Sequence, residues 1–183
     1  MTPITTVPTL ITERLILDAH RREDFADLAA MWADPAVVRY IGGTPRSQED
    51  SWGRLLRYIG HWQLLGYGYW AVREKVSGNY IGDIGFADFH REIDPALDTP
   101  EMGWVLNAAA QGKGYGTEAL LAALAWATDH FPQGKTVCII SPENRPSLGL
   151  AKKAGFVENH RSEYHQRPVV VMQRWLMPSS ISH

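Results

Sequence analysis

The 183-residue sequence has little of several things that mark large protein classes. Cysteine occurs once, at Cys138, so no intramolecular disulfide and no thiolate metal cluster can be built. That thiol lies in the apolar run Val137-Cys138-Ile139-Ile140, where a buried structural role is expected over a reactive one. No apolar run approaches the roughly 20 residues that cross a bilayer. Residues 1–10 lack the basic-then-apolar order of a secretory signal, so a cytoplasmic location with no membrane partner is the expectation. Neither sign of charge dominates: 18 Lys and Arg against 20 Asp and Glu leave a formal −2, which argues against a nucleic-acid binder. His61, His90, His130, His160 and His165 are scattered without metal-ligand spacing, and no metal is expected. With 45% apolar residues and no internal repeat, the chain reads as one domain over residues 1–183, with its core at about 10–177.

What the sequence does have is a concentration of glycine ahead of a helix. Gln111-Gly112-Lys113-Gly114-Tyr115-Gly116-Thr117 leaves the backbone almost bare, so amide N–H groups can approach a ligand closely. From Thr117 to Phe131, Leu120, Leu124, Ala127 and Phe131 recur at helical spacing. Bare amides at a helix N-terminus form an anion site, because those N–H groups lack partners and the helix dipole adds partial positive charge. A phosphate is the expected ligand.

Elsewhere the chain alternates periods. Residues 1–12 read as a loose entry, 14–18 as a strand, and 22–32 as a short amphipathic helix broken at Asp34-Pro35. A further helical turn over 36–41 ends at Gly42-Gly43. Ser47 caps a helix that runs to Gly66, with Trp52, Leu55, Leu56, Ile59 and Trp62 expected on its packed face. Strands follow at 67–73, 80–86 and 102–106, the last two joined by a polar connection over 90–100. Past the glycine loop and its helix come a buried strand at 135–141, a helix from Asn144 to Lys153, and an antiparallel pair at 156–164 and 168–177. The class is mixed α/β.

Three phosphate ligands compete for the loop. A nucleotide P-loop needs a hydroxyl after Gly-Lys, but Gly114 stands there; a dinucleotide fingerprint needs a sixth-position glycine, but Thr117 stands there. The third reading fits. Gln111, Gly114 and Gly116, between a strand and a helix, resemble the acyl-CoA pyrophosphate loop of the GNAT N-acetyltransferase superfamily. Glu13-Arg14-Leu15-Ile16-Leu17 and the segment with Trp32, Asp34, Val38 and Tyr40 look like the branch that holds ribosomal-protein N-terminal acetyltransferases. Glu101-Met102-Gly103-Trp104-Val105-Leu106 resembles its fourth strand, and Asn144, Ser147 and Gly155-Phe156 its second signature.

The resemblance implies a single-domain GNAT-like fold: a mostly antiparallel mixed sheet flanked by helices, with its fourth and fifth strands (101–107 and 135–141) splayed apart. It implies acetyl-CoA as acyl donor and no metal. The amides of Gly112, Lys113, Gly114, Tyr115, Gly116 and Thr117 would take the pyrophosphate, while Trp104, Val105, Leu106 and Asn144 would hold pantetheine. The other partner would be an amine acceptor, either a protein N-terminus or a small molecule, and a homodimer is the family's expectation. Glu101 and Glu163 are the two candidate bases; the alternative for Glu101 is a strand-end glutamate that is solvated or bonded to a neighbouring chain segment, and for Glu163 a solvated strand residue. Many members place a thiolate-protonating tyrosine where this chain has Ala151; Ser147 is the substitute, with helix capping as its alternative. Glu92, Asp94 and Asp98 read as a solvated acidic loop or as an attractor for a cationic amine. His90 and His165 are the histidines an acceptor cleft could take in. Two further readings stay open: a non-catalytic acyl-CoA-binding module, and a magnesium-dependent nucleotide phosphotransferase.

Overall fold

The computed structural model describes residues 6–177; residues 1–5 of the expected loose entry, and 178–183 of the expected domain, lie outside them. The strands are β1 (Leu10–Ile11), β2 (Leu15–Asp18), β3 (Tyr69–Glu74), β4 (Tyr80–Ala87), β5 (Glu101–Leu106), β6 (Lys135–Ile140), β7 (Val157–Tyr164) and β8 (Arg167–Trp175). The helices are α1 (Phe25–Ala33), α2 (Pro35–Val38), α3 (Gln48–Leu65), α4 (Tyr115–His130) and α5 (Arg145–Lys153). All eight strands form one sheet in the order β1-β2-β3-β4-β5-β6-β8-β7. Every pairing is antiparallel except β5 with β6. The short β1 makes the family's fourth and fifth strands β5 and β6 here.

Local chemistry sets the helix ends. Asp34 closes α1 and caps α2, accepting from the Ala36 N–H at 2.9 Å, with Pro35 at the first helical position. Ser47 and Asp50 form a reciprocal capping box at the start of α3, and Gly66 ends it in the left-handed region. The packed face of α3 differs from the expected one. Ser51, Leu55, Tyr58 and Trp62 are buried, while Trp52, Leu56 and Ile59 are exposed. Spacing alone admitted two adjacent stripes, and the true seam carries a serine and a tyrosine that hydrophobicity does not single out.

Strand alternation divides the core between two faces of the sheet. Trp70, Val72, Ile84, Phe86 and Met102 pack with Leu120, Leu124 and Ala127 of α4. Tyr69, Ala71, Ala87 and Val105 pack on the other face with Leu28 and Trp32 of α1 and Leu55 and Tyr58 of α3. A charged network ties the entry of α1 to the sheet. The Arg73 guanidinium donates to Asp24 at 2.7 and 2.9 Å and to Asp18 at 2.8 Å.

Burial works to raise the pKa of Asp24, but the bonds from Arg73 and from the Arg21 N–H outweigh it and hold the carboxyl below its ordinary value. The stability this contributes is therefore fully present above the unfolded carboxylate pKa of about 4 and is lost as pH falls through the lower folded value. Urea unfolding midpoints should fall across that acid window. Asp24→Asn should cost about 3 kcal/mol at pH 7, with the gap to the parent closing in acid.

Candidate active site

β5 and β6 are Cα partners at one position, Glu101 with Val137. Next to it the Pro100 carbonyl accepts from the Thr136 hydroxyl at 2.7 Å and the Val137 N–H at 3.3 Å. Beyond this fastening the strands part, and a cleft of about 1180 Å³ opens between Met102–Val105 and Cys138–Ile140. β4 pairs with β5 along its whole length, so the free edge of β5 is the one that faces the cleft. Trp104 is half-buried on that edge beside the α4 core, and Val105 belongs to the opposite face. Leu106 lies past the cleft wall, and its carbonyl accepts from the Gln111 side chain at 3.0 Å.

The glycine loop therefore starts where the cleft ends. Gly114 is the N-cap of α4 with φ +81, a conformation that costs any residue with a Cβ, and no side chain caps the helix. The first-turn amides of Tyr115, Gly116 and Thr117 have no intrahelical acceptor within reach. The loop is pinned from behind. Arg14 donates to the Lys113 carbonyl at 2.9 Å and to Glu118 at 2.7 Å, and the buried Tyr115 ring sends its hydroxyl to Glu74 at 2.6 Å. Gly112 also has positive φ, whereas Gly116 is needed for space: a Cβ there would stand 3.0 Å from a methyl of Leu150 in α5.

Asn144 caps α5 by accepting from the Ser147 N–H at 3.2 Å. The cap is thus the asparagine, and Ser147, one turn in, lines the cleft with it. Ala151 is fully buried in the α4–α5 core, so the tyrosine position of the family is filled with packing. Cys138 is buried as expected, and burial pushes its thiol pKa well up.

The two candidate bases separate. Glu101 is buried and lines the cleft, with Arg91 donating from Nε at 2.5 Å and from the terminal nitrogen at 2.9 Å. Burial opposes the charge of Arg91, but the bonds to Glu101 prevail and raise its pKa. Both carboxylate oxygens are thus occupied. Glu163 is exposed on β7 and does not line the cleft; strand alternation turns its neighbour Tyr164 inward instead. Sequence spacing could not settle which of that pair faces in.

Arg91, Tyr58 and Tyr69 were missed altogether. Tyr69 lies on the α3 face, stacked on Tyr58 at 4.5 Å between ring centroids, and its hydroxyl occupies the space that a side chain at Gly103 would fill. Burial, then the neighbouring Tyr58 and Glu101, keep that phenol well above its ordinary pKa. The one legible signal was the glycine itself, in the middle of a strand. His90 and His165 both line the cleft, whereas Glu92, Asp94 and Asp98 do not, and Asp98 faces Lys135 at 3.4 Å. Among the described residues no cluster suits a metal ion, and no helix is long and apolar enough to cross a membrane.

A sheet in which β5 and β6 share one junction, with bare helix-start amides beyond the gap, matches the architecture that the resemblance to acetyltransferases implies. The chain belongs to the acetyltransferase (GNAT) family, whose domain model matches residues 14–157. It is 28% identical over 149 residues to the uncharacterized N-acetyltransferase p20 of Bacillus licheniformis, covering 81% of this chain and 82% of that one. An acetyltransferase structure from Agrobacterium tumefaciens superposes with a TM-score of 0.80 at 27% identity, covering 95% and 98% of the two chains. A ribosomal-protein-alanine acetyltransferase from Vibrio fischeri shares the fold at 17% identity and a TM-score of 0.70, with 92% and 96% covered.

Gly114→Ala places a methyl at a left-handed position of the loop, at a cost of about 1 kcal/mol. Because the free loop relaxes to shed that strain and CoA binding restores it, calorimetric titration with CoA should show roughly fivefold weaker binding, with the thermal midpoint of the free protein little changed.

Proposed function

We propose that the protein moves an acetyl group from acetyl-CoA to a primary amine by direct attack. The observation that carries this reading is the cleft between β5 and β6, lined by Glu101, Asn144 and Ser147, with the bare amides at the start of α4 beyond its end. The diphosphate would lie on the Gly112–Thr117 amides, with pantetheine along the free edge at Trp104–Leu106, beside Asn144. The amine nitrogen forms a bond to the thioester carbonyl carbon, the carbonyl electrons move onto oxygen, and backbone N–H groups of β5 steady that charge. Collapse breaks the carbon–sulfur bond. The thiolate leaves towards the Ser147 hydroxyl, and the amine proton passes to Glu101 or, since Arg91 engages both of its oxygens, to water beside it. The acceptor is a protein N-terminus or a small amine.

The engaged Glu101 and the buried Ala151 favour one competing reading, an acyl-CoA-binding protein without turnover. Thiol release on a panel of amines decides between them, since binding of acetyl-CoA with no release on any amine would leave only the second. Under the transfer reading, Ser147→Ala should lower kcat about tenfold or more with little change in the KM for acetyl-CoA. Glu101→Gln should lower kcat by about 10²-fold or more if the carboxylate takes the proton. A Glu101→Gln change confined to the acceptor KM would assign Glu101 to holding Arg91.

A further inference from the structure

The same cleft changes character on the α1–α3 face of the sheet, away from α4. Six arginines line it there: Arg39, Arg46, Arg54, Arg57, Arg91 and Arg167. The carboxylates that line it are Asp88, Glu101 and Glu143, and Glu101 is committed to Arg91. Among the described residues, the other five arginines form no salt bridge. Glu49 and Asp50 lie beside Arg46 and Arg54 in a neighbouring hollow, but Asp50 is tied to the Ser47 cap. The crowding is visible in Arg57, whose pKa is lowered by burial first and then by the Arg54 cation.

A second observation points to a ligand. Trp32 Nε1, Arg46 Nε and Arg54 Nε are buried donors without acceptors, and all three residues line the cleft. Trp32 is 3% exposed, and the Arg54 guanidinium lies over its ring at 3.6 Å from the centroid. Buried donors are ordinarily satisfied, so three without a protein acceptor add to the excess of donors over acceptors in this wall. The loop at 112–117 cannot be its address, because it lies outside the cleft wall on the α4 side.

Resting on the transfer reading above, we infer that the acceptor is a small primary amine carrying its own anionic group, a carboxylate or a phosphate. Arg46 and Arg54 bind that group, leaving the nitrogen to meet the thioester at β5. The arginines help in a second way. Neighbouring positive charge lowers the pKa of an incoming ammonium and favours the neutral amine that attacks. A polycationic amine meets the same field as repulsion.

Matched pairs that differ only in the anion test this: glycine with glycinamide, and O-phosphoethanolamine with ethanolamine, with spermidine as the polycation. With the full chain at saturating acetyl-CoA, at least one acidic member should exceed its neutral partner tenfold or more in kcat/KM. The better pair tells carboxylate from phosphate. Arg54→Gln and Arg46→Gln should bring that ratio towards one while leaving the KM for acetyl-CoA and the circular dichroism spectrum unchanged. Preference for the neutral members, for spermidine, or for peptides with an acidic second residue over the small acids would overturn the inference. So would variants that slow both members of a pair equally. Absence of turnover on every amine would sink the transfer reading alone. Calorimetry of the same pairs on CoA-loaded protein then still decides: tighter binding of the acid supports the anion site, and equal binding removes it.

Discussion

The site depends on a junction one residue pair long. Val137 and Thr136 reach the Pro100 carbonyl, Glu101 faces Val137, and β5 and β6 share no further Cα pairing. A parallel pair zipped along its length would satisfy every backbone group and leave no opening. A pair with no junction would let the two halves of the sheet drift. One fastening at one end gives a wedge with a fixed apex. The apex carries the buried Glu101–Arg91 pair, held by two hydrogen bonds.

The element order was largely legible because each element announces its ends chemically. Ser47 with Asp50, Asp34 with Pro35, Asn144 with Pro146, and Gly66 and Gly114 are local signals that tertiary packing did not overrule. The glycine loop was legible for the same reason. The inner face of α3 was not, since its seam runs through Ser51 and Tyr58 while more apolar residues lie one step round the helix. Nor were the partners of the site. Arg91 sits in a loop of polar residues with no period, and its pairing with Glu101 exists only once that loop folds back to the apex of the wedge. Which of Glu163 and its neighbour Tyr164 faces the cleft turned on the phase of one strand, which no hydrophobic alternation revealed. The acidic side chains of the 90–100 connection, Glu92, Asp94 and Asp98, do not line the cleft, and arginines from four separate segments converge on it instead.

In the proposed reaction the two faces of the sheet carry different work. On the α4 side, backbone amides with no side chain in front of them offer a diffuse positive end. On the α1–α3 side, guanidinium groups offer discrete forks. The first suits a ligand common to a whole family, because backbone does not vary with sequence. The second suits a ligand peculiar to this chain, because side chains do.

The contact between Gly116 and Leu150 joins these parts in one more respect. Because a bare α-carbon lets α5 lie directly against the first turn of α4, the loop amides and the Ser147 hydroxyl are set at a constant separation. In the proposed reaction the two helices would act as a ruler laid along the donor. A thioester whose carrier arm matches that length would reach both marks at once; one with a longer or shorter arm would seat its phosphate or its sulfur, but not both.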